Sequence, residues 1–265
     1  MLIAHLSDPH LTRGGTLYQG LVDSNAMFDL ALKHLAELDP TPDLVLITGD
    51  LVDGGTPQEY ARARASLAAI GQPLLILPGN HDEREAFRAA FDDHAHLPRS
   101  GPLHFVSREH GPVRTIATDV TVPGRHHGEI TEETAAWLLS ELAQEPDRPT
   151  LVMMHQPPFP IGIDCIDAYR CRNGERLGSL LDGFSSVERV LCGHVHRFAQ
   201  ARFGGTIALT CPSTTTAIAL RLAPDARPAS FVEPPAFLLH EWRKGVGMVT
   251  HHVPIGRFPG PLPFF

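Results

Sequence analysis

Positive charge is what this 265-residue chain is short of: 22 lysines and arginines stand against 30 acidic residues, a net charge of −8. Gripping an extended polyanion takes a cationic track. Nucleic acid is therefore not expected as a partner, while small anionic substrates stay open. Long apolar runs are missing too. The N-terminal stretch has no basic lead, is interrupted by His5 and ends at Asp8, which fits neither a signal peptide nor a membrane span. No membrane association is expected, and a cytoplasmic location follows by default. Cysteine is sparse, with 4 in all. Cys192 and Cys211 lie in apolar, strand-like runs and read as buried thiols. Cys165 and Cys171 are spaced too widely for a structural zinc hook. No internal repeat or low-complexity linker divides the chain.

A hydrophobic content of 43% suffices for a substantial core, at a length that fits one large α/β domain or a domain with a small accessory. The organising stretch is Leu44-Val45-Leu46-Ile47-Thr48-Gly49-Asp50. Its apolar and β-branched run suits a central strand buried on both faces. Gly49 lets the chain turn, and Asp50 arrives at the rim of a sheet, where ligands bind in open α/β folds. An isolated Gly-Asp would read as an ordinary turn or helix-capping aspartate. Here the pattern recurs. Strand-like segments lead into Ser7-Asp8-Pro9-His10, Pro78-Gly79-Asn80-His81-Asp82, His155 and Gly193-His194-Val195-His196.

Between the strands, helices are predicted from Asp23 or Ser24 to about Leu38, from Pro57 to Gly71, from Glu83 to Phe91, and from Thr131 to near Pro146. Alternation of strand and helix over the first ninety or so residues argues for a parallel sheet. Further strands are expected at Val113 to Thr118, Thr150 to Met154, Val187 to Cys192 and Thr206 to Thr210. A C-terminal hairpin is expected from Ala236 to Trp242 and Gly247 to Val253. A second sheet on the first gives a four-layer α/β/β/α sandwich of two mixed sheets. The expected division is a catalytic domain over 1–211 and a small C-terminal extension over 212–265 that completes the second sheet and offers an oligomer contact. Pro157 to Asn173 and Pro212 to Pro235 are long, turn-rich segments of the kind that wall active sites. The apolar tail Phe258 to Phe265 is expected to bury, against its own core or a neighbouring subunit.

Aspartate, asparagine and imidazole together form a mixed O/N donor set suited to Mn, Fe, Co or Zn ions. Seven or so such ligands are too many for one ion. Two ions roughly 3.5–4 Å apart, sharing a carboxylate, activate a water and hold the non-bridging oxygens of a phosphoryl group. Asp50 is the expected bridge. Asp8-Pro9-His10 and His194-Val195-His196, if extended, each place two ligands on one face.

Asp8-x-His10, Gly49-Asp50, Gly79-Asn80-His81-Asp82, His155 and Gly193-His194-x-His196 resemble, in order, the five signature blocks of the calcineurin-like metallophosphoesterases. The chain is most similar to bacterial phosphodiesterases of the class III cyclic-nucleotide and glycerophosphodiester type. That resemblance implies the metallo-dependent phosphatase fold. Asp8, His10, Asp50 and His196 would hold one ion, and Asp50, Asn80, His155 and His194 the other. It casts His81 as the catalytic histidine beside the phosphate and Asp82 as the residue that orients it, with metal-bound hydroxide attacking a small phosphodiester. It also tilts expectation toward a homo-oligomer.

Two departures matter. The arginine that follows Gly-Asp-x-Val-Asp in protein serine/threonine phosphatases is absent from Gly49-Asp50-Leu51-Val52-Asp53-Gly54-Gly55, and where some relatives place a further histidine this chain has Thr214-Thr215-Thr216. Tyr18 and Asn25, near the first block, read as a surface tyrosine and a helix-start asparagine. The alternatives are a phosphomonoesterase or nucleotidase using the same site, or a binding scaffold that has lost catalysis.

Overall fold

The computed structural model describes residues 1–260, 262 and 263. In chain order it contains β1 (Leu2–Leu6), α1 (Ser24–Ala36), β2 (Leu44–Thr48), α2 (Pro57–Leu67), β3 (Leu74–Leu77), α3 (Arg84–Ala90), β4 (Phe105–Ser107), β5 (Arg114–Ala117), α4 (Glu132–Gln144), β6 (Thr150–Met153), α5 (Asp164–Asp167) and α6 (Gly174–Leu181). It continues with β7 (Val187–Cys192), β8 (Ala199–Phe203), β9 (Thr206–Thr210), β10 (Ala217–Ile218), β11 (Ser230–Phe231), β12 (Ala236–Arg243) and β13 (Gly247–Pro254).

Two large sheets form, one ordered β13-β12-β1-β2-β3 and the other β4-β5-β6-β7-β9-β8. In the first, β1, β2 and β3 are parallel. In the second, β5, β6, β7 and β9 are parallel. Period-two alternation assigns the faces of the second sheet. Ala117, Leu151, Met153, Leu191 and Leu209 join the core shared with the first sheet and with Phe28, Tyr60 and Phe87 of α1, α2 and α3. Their neighbours Ile116, Val152, Val190, Cys192 and Ala208 face Leu138 and Leu142 of α4 and Leu177 and Leu181 of α6. The result is the expected four-layer sandwich. Among the described residues no helix is long and apolar enough to cross a membrane.

Helix starts follow local chemistry. Asp23 accepts from Ala26 N at 3.0 Å to cap α1, and Thr131 caps α4 through Thr134 N at 3.1 Å. Thr56 and Glu59 form a reciprocal capping box on α2, with Pro57 in its first turn.

The structure departs from the sequence expectations in three places. The C-terminal hairpin β12–β13 does not complete the second sheet. It pairs antiparallel with β1, Leu2 opposite Glu241 and His5 opposite Leu238, and its Phe237, Leu238 and Met248 belong to the central core. The open edge of β1 captures it. Second, β4, α6 and β8, and the short α5, β10 and β11 inside the two turn-rich segments, are additional to the expected elements: α6 opens on glycine and holds a second, and β8 (Ala-Gln-Ala-Arg-Phe) is an edge strand with little apolar signal. Third, of the two expected burials of the tail, the one against its own core is not seen at the described apolar residues, since Phe258 is 59% and Leu262 75% exposed. Pro261, Phe264 and Phe265 lie outside the described residues.

Candidate metal centre

Five parallel strands from both sheets end on the same side of the sandwich. β1 delivers Asp8 and His10, β2 delivers Asp50, β3 delivers Asn80 and His81, β6 delivers His155, and β7 delivers His194 and His196. The loops beyond the strands stay paired. Asp8 N donates to Gly49 O at 3.1 Å, His10 N to Asp50 O at 3.0 Å, and Gly193 N to His155 O at 2.9 Å. Close approach demands glycine three times at this site: a Cβ on Gly49 would overlap His155 Nδ1, one on Gly79 Asp50 Oδ1, and one on Gly193 Ser7 Oγ.

Asp8, His10, Asp50 and His196 converge with one ligand atom each within 4.8 Å of the others, and so do Asp50, His155 and His194. Asp50 belongs to both groups. Its Oδ2 lies 3.6 Å from His10 Nε2 and 3.2 Å from His155 Nε2, while its Oδ1 accepts from His81 N at 2.8 Å. Asp8 accepts from His194 N at 3.0 Å and lies 3.4 Å from His196 Nε2.

The expected reason for chelation by the two alternating pairs does not hold. Asp8 (φ 52°), His10 (φ 44°), His194 (φ 70°) and His196 (φ 55°) are left-handed rather than extended, as is Asp50 (φ 47°). The strands have already ended, and successive kinks turn the side chains inward. Ser213 and Thr215 brace one kink, their hydroxyls donating to Asp8 O at 2.7 and 3.3 Å.

The donor chemistry fits cations. His155 Nδ1 donates to Thr48 O at 2.7 Å and His196 Nδ1 to Thr216 O at 3.0 Å, which leaves each Nε2 as a lone pair facing inward. His10 Nε2 and His196 Nε2 stand 3.0 Å apart, and the buried Nε2 atoms of His155 and His194 have no hydrogen-bond partner among the described residues. Burial pushes Asp8 up to about 6 and holds His194 well below the usual imidazole range. Burial also opposes charge on His155, yet Asp50 and Asp8 outweigh it and raise His155 to about 9. The two carboxylates thus favour positive charge beside them.

Asn80 and His81 line the cleft above the cluster. Asn80 Oδ1 lies 3.4 Å from Gln156 Nε2, and Asn80 Nδ2 3.4 Å from His126 Nδ1. His81 Nδ1 donates to Asp53 O at 2.8 Å, with Asp53 Oδ1 at 3.4 Å, so Nε2 is its free nitrogen. Burial works against the imidazolium, but Asp53 and Asp50 prevail and raise His81 to about 10.

The profile of the calcineurin-like phosphoesterases matches residues 1–198. The chain belongs to that family. It is 35% identical over 266 residues to a probable glycerophosphodiester phosphodiesterase of Arcobacter nitrofigilis, covering 100% of this chain and 97% of that protein. To a cAMP/cGMP dual specificity phosphodiesterase of Mycobacterium tuberculosis it is 35% identical over 208 residues, 77% of this chain and 64% of the other. Among solved structures, a dimetal phosphatase from Danio rerio superposes with a TM-score of 0.65 at 15% identity, covering 97% of this chain and 99% of that one, which shows a shared fold.

In this phosphoesterase Asp82 does not touch the His81 ring. Its carboxylate accepts from Leu51 N at 3.0 Å, Gly79 N at 2.9 Å and the Tyr60 hydroxyl at 3.1 Å, fastening the loops after β2 and β3 to each other. The inward-facing carboxylate is raised to about 7 by burial and then by Asp50. Orientation of His81 falls instead to Asp53, which sequence reasoning passed over. Asp53 Oδ1 also lies 3.4 Å from His10 Nδ1, so one carboxylate touches a candidate ligand and His81. Its only sequence signal is its place three residues after Asp50. Tyr18 is not a surface residue: it is 4% exposed and stacks on His10, ring centroids 4.6 Å apart. Asn25 is tied to Thr12 N and O at 3.2 and 3.0 Å and holds the loop. The cleft holds about 250 Å³, and among the described residues no lysine or arginine lines it.

Proposed function

We propose that this protein is a dinuclear metal-dependent phosphodiesterase of small diesters, glycerophosphodiesters or 3′,5′-cyclic nucleotides. The observation that carries the reading is the shared carboxylate: two donor sets meet at Asp50. In this reading Asp8, His10, Asp50 and His196 hold one ion, and Asp50, Asn80, His155 and His194 the other. Manganese, iron, cobalt and zinc suit these donors. Two such ions, when bound, supply an activated water and the charge that a phosphoryl group's non-bridging oxygens meet.

The chain's own residues do the rest. Thr48 and Thr216 carbonyls fix the tautomers of His155 and His196. His81, held by Asp53, presents a protonated Nε2 to the phosphate, where it stabilises developing charge and protonates the leaving oxygen. A cleft without lysine or arginine favours the diester monoanion over a monoester dianion, which asks for a further cation. A cytoplasmic setting fits four free thiols. A homo-oligomer fits the exposed apolar arm of Leu220, Leu222, Phe231 and Val232.

The test is reconstitution. Metal-stripped protein is titrated with Mn(II), Co(II), Zn(II) and Fe(II), then assayed on a glycerophosphodiester, a 3′,5′-cyclic nucleotide, an aryl diester and the matching aryl monoester. Two equivalents of metal with diester turnover are expected. A monoester preferred by about tenfold, a difference of ~1.4 kcal/mol, replaces this reading with a phosphomonoesterase.

A further inference from the structure

We propose that the rim of the same cleft is a subsite for a flat aromatic arm of the diester, with Tyr169 as its recognition residue. The proposal rests on the phosphodiesterase reading and chooses within it. The segment between β6 and α6, which carries the short helix α5, brings Ile166 and Tyr169 to the cleft that holds Asn80, His81 and the ligand histidines.

Tyr169 is 46% exposed, and no hydrogen bond from its hydroxyl occurs among the described residues, so nothing in the fold requires an aromatic ring there. Its ring meets His126 edge-on at 5.5 Å between centroids. His126 in turn stands 6.1 Å from His81, and His81 4.7 Å from His10. A continuous series of rings thus runs from the candidate ligand His10 to the rim. Ile166, and Ile218 from β10, add apolar surface to the same cleft, and its exposed polar residues Gln19 and Ser230 are uncharged.

The chemistry of this wall selects the arm. Among the described residues that line the cleft, Asp50 and His81 belong to its inner end and the outer part carries no carboxylate, lysine or arginine, so a charged arm has no partner there. A glycerol arm, polar on every side, leaves the apolar and aromatic surface unmatched. A neutral planar ring gains from stacking on tyrosine and from burying its faces against isoleucine. The ligand is therefore a diester with a π-system on one ester oxygen, carried either by a nucleoside or by a simple aryl alcohol. A quaternary ammonium arm would need several ring faces boxed around it, and here Tyr169 meets its neighbour His126 edge-on rather than enclosing a box.

Tyr169→Ala, Tyr169→Leu and Tyr169→Phe, each with two equivalents of Mn(II), are compared with the wild type. The substrates are 3′,5′-cyclic AMP, bis(4-nitrophenyl) phosphate, glycerophosphoethanolamine and glycerophosphocholine. In the alanine and leucine variants the kcat/KM ratio of cyclic AMP to glycerophosphoethanolamine is expected to fall about tenfold, chiefly through KM, with phenylalanine restoring it. The aryl diester separates the two sources of the ring: a fall shared with cyclic AMP assigns the subsite to any planar arm, and a fall for cyclic AMP alone assigns it to the nucleoside. Calorimetric binding of the phosphorothioate analogue of cyclic AMP gives a readout without turnover, with Kd rising about tenfold in Tyr169→Ala. An unchanged ratio and Kd, or an effect confined to glycerophosphocholine, overturns the subsite. Analogue binding that depends on Tyr169, with no diester turned over, overturns the phosphodiesterase reading and leaves the subsite standing.

Discussion

Asp50 and Asp53 stand three residues apart and do different work. Asp50 touches both donor sets, so Asp50→Ala is expected to empty both sites and abolish turnover, whereas Asn80→Ala weakens one. Metal analysis of the purified variants decides this, and two full equivalents in Asp50→Ala would refute the bridge. Asp53 acts through its neighbours. Asp53→Asn keeps the shape but removes the charge that holds His81 up at about 10. The imidazolium then deprotonates at lower pH, and the basic limb of the kcat profile should move down with it. A fall in kcat of about 10- to 100-fold is expected from loss of an outer-shell carboxylate. A pH profile superposable on the wild type would remove Asp53 from this role. Asp82→Asn should instead be read in stability, because its carboxylate fastens two backbone segments and the Tyr60 hydroxyl rather than His81.

At the scale of elements, β1 and β12 meet at a buried pair of imidazoles. His5 Nδ1 lies 3.3 Å from His240 Nε2, His5 Nε2 bonds the Thr48 hydroxyl at 2.8 Å, and His240 Nδ1 the Thr250 hydroxyl at 2.9 Å. Burial, and then His240, holds His5 well below its ordinary value; burial, and then Arg189, lowers His240 to about 3. Both are neutral in the folded state. Below the unfolded value of about 6.5, the unfolded chain binds protons that the folded chain refuses. Stability is thus fully present above that pH and falls toward pH 4, by ~1.4 kcal/mol per pH unit for each histidine. His240→Gln should flatten the slope by one proton in denaturant melts of metal-free protein at pH 4.5 to 6.5. An identical slope in the variant would show that His240 does not contribute. Another element-level device is the capping box at α2, where Thr56→Ala should lower stability by ~1 kcal/mol.

Legibility from sequence followed the same elements. Buried parallel strands read clearly because both faces are apolar, and the ligand blocks read clearly because each ends such a strand. The hairpin β12–β13 was legible as a hairpin but not as the partner of β1, since pairing between the two ends of a chain leaves no local signal. The edge strand β8 lacked apolar contrast, and α6 was masked by its glycines. Within the site, residue types were legible and backbone was not: alternation suggested extended tripeptides where the chain is left-handed. Asp53 looked like any turn aspartate because its importance is spatial, set by two histidines that arrive from β1 and β3.

For the molecule as a whole, the position of the hairpin against β1 predicts that 1–211 does not fold as a unit. Cutting after Cys211 strips the edge of β1, removes Phe237, Leu238 and Met248 from the core, and takes away the hydroxyls of Ser213 and Thr215 from Asp8. A fragment covering 1–211 is expected to be insoluble or molten, with lost near-UV circular dichroism. A cooperative thermal transition in that fragment would show the opposite.

The left-handed kinks carry a further consequence. That conformation is uncommon for any residue with a Cβ, though aspartate and histidine enter it more readily than most, and five of the seven candidate ligands adopt it, beside the larger cost of burying carboxylates and unpaired imidazoles. The site is therefore held against the stability of the metal-free fold, chiefly through its buried polar groups. In a duplicated copy released from catalysis, glycine at positions 8, 10, 194 or 196 would relieve backbone strain and remove buried charge or unpaired imidazole in one step. Loss of metal binding would then be rewarded with a higher melting temperature. A lineage of such copies would drift toward well-folded, inert relatives long before it drifted toward unfolding.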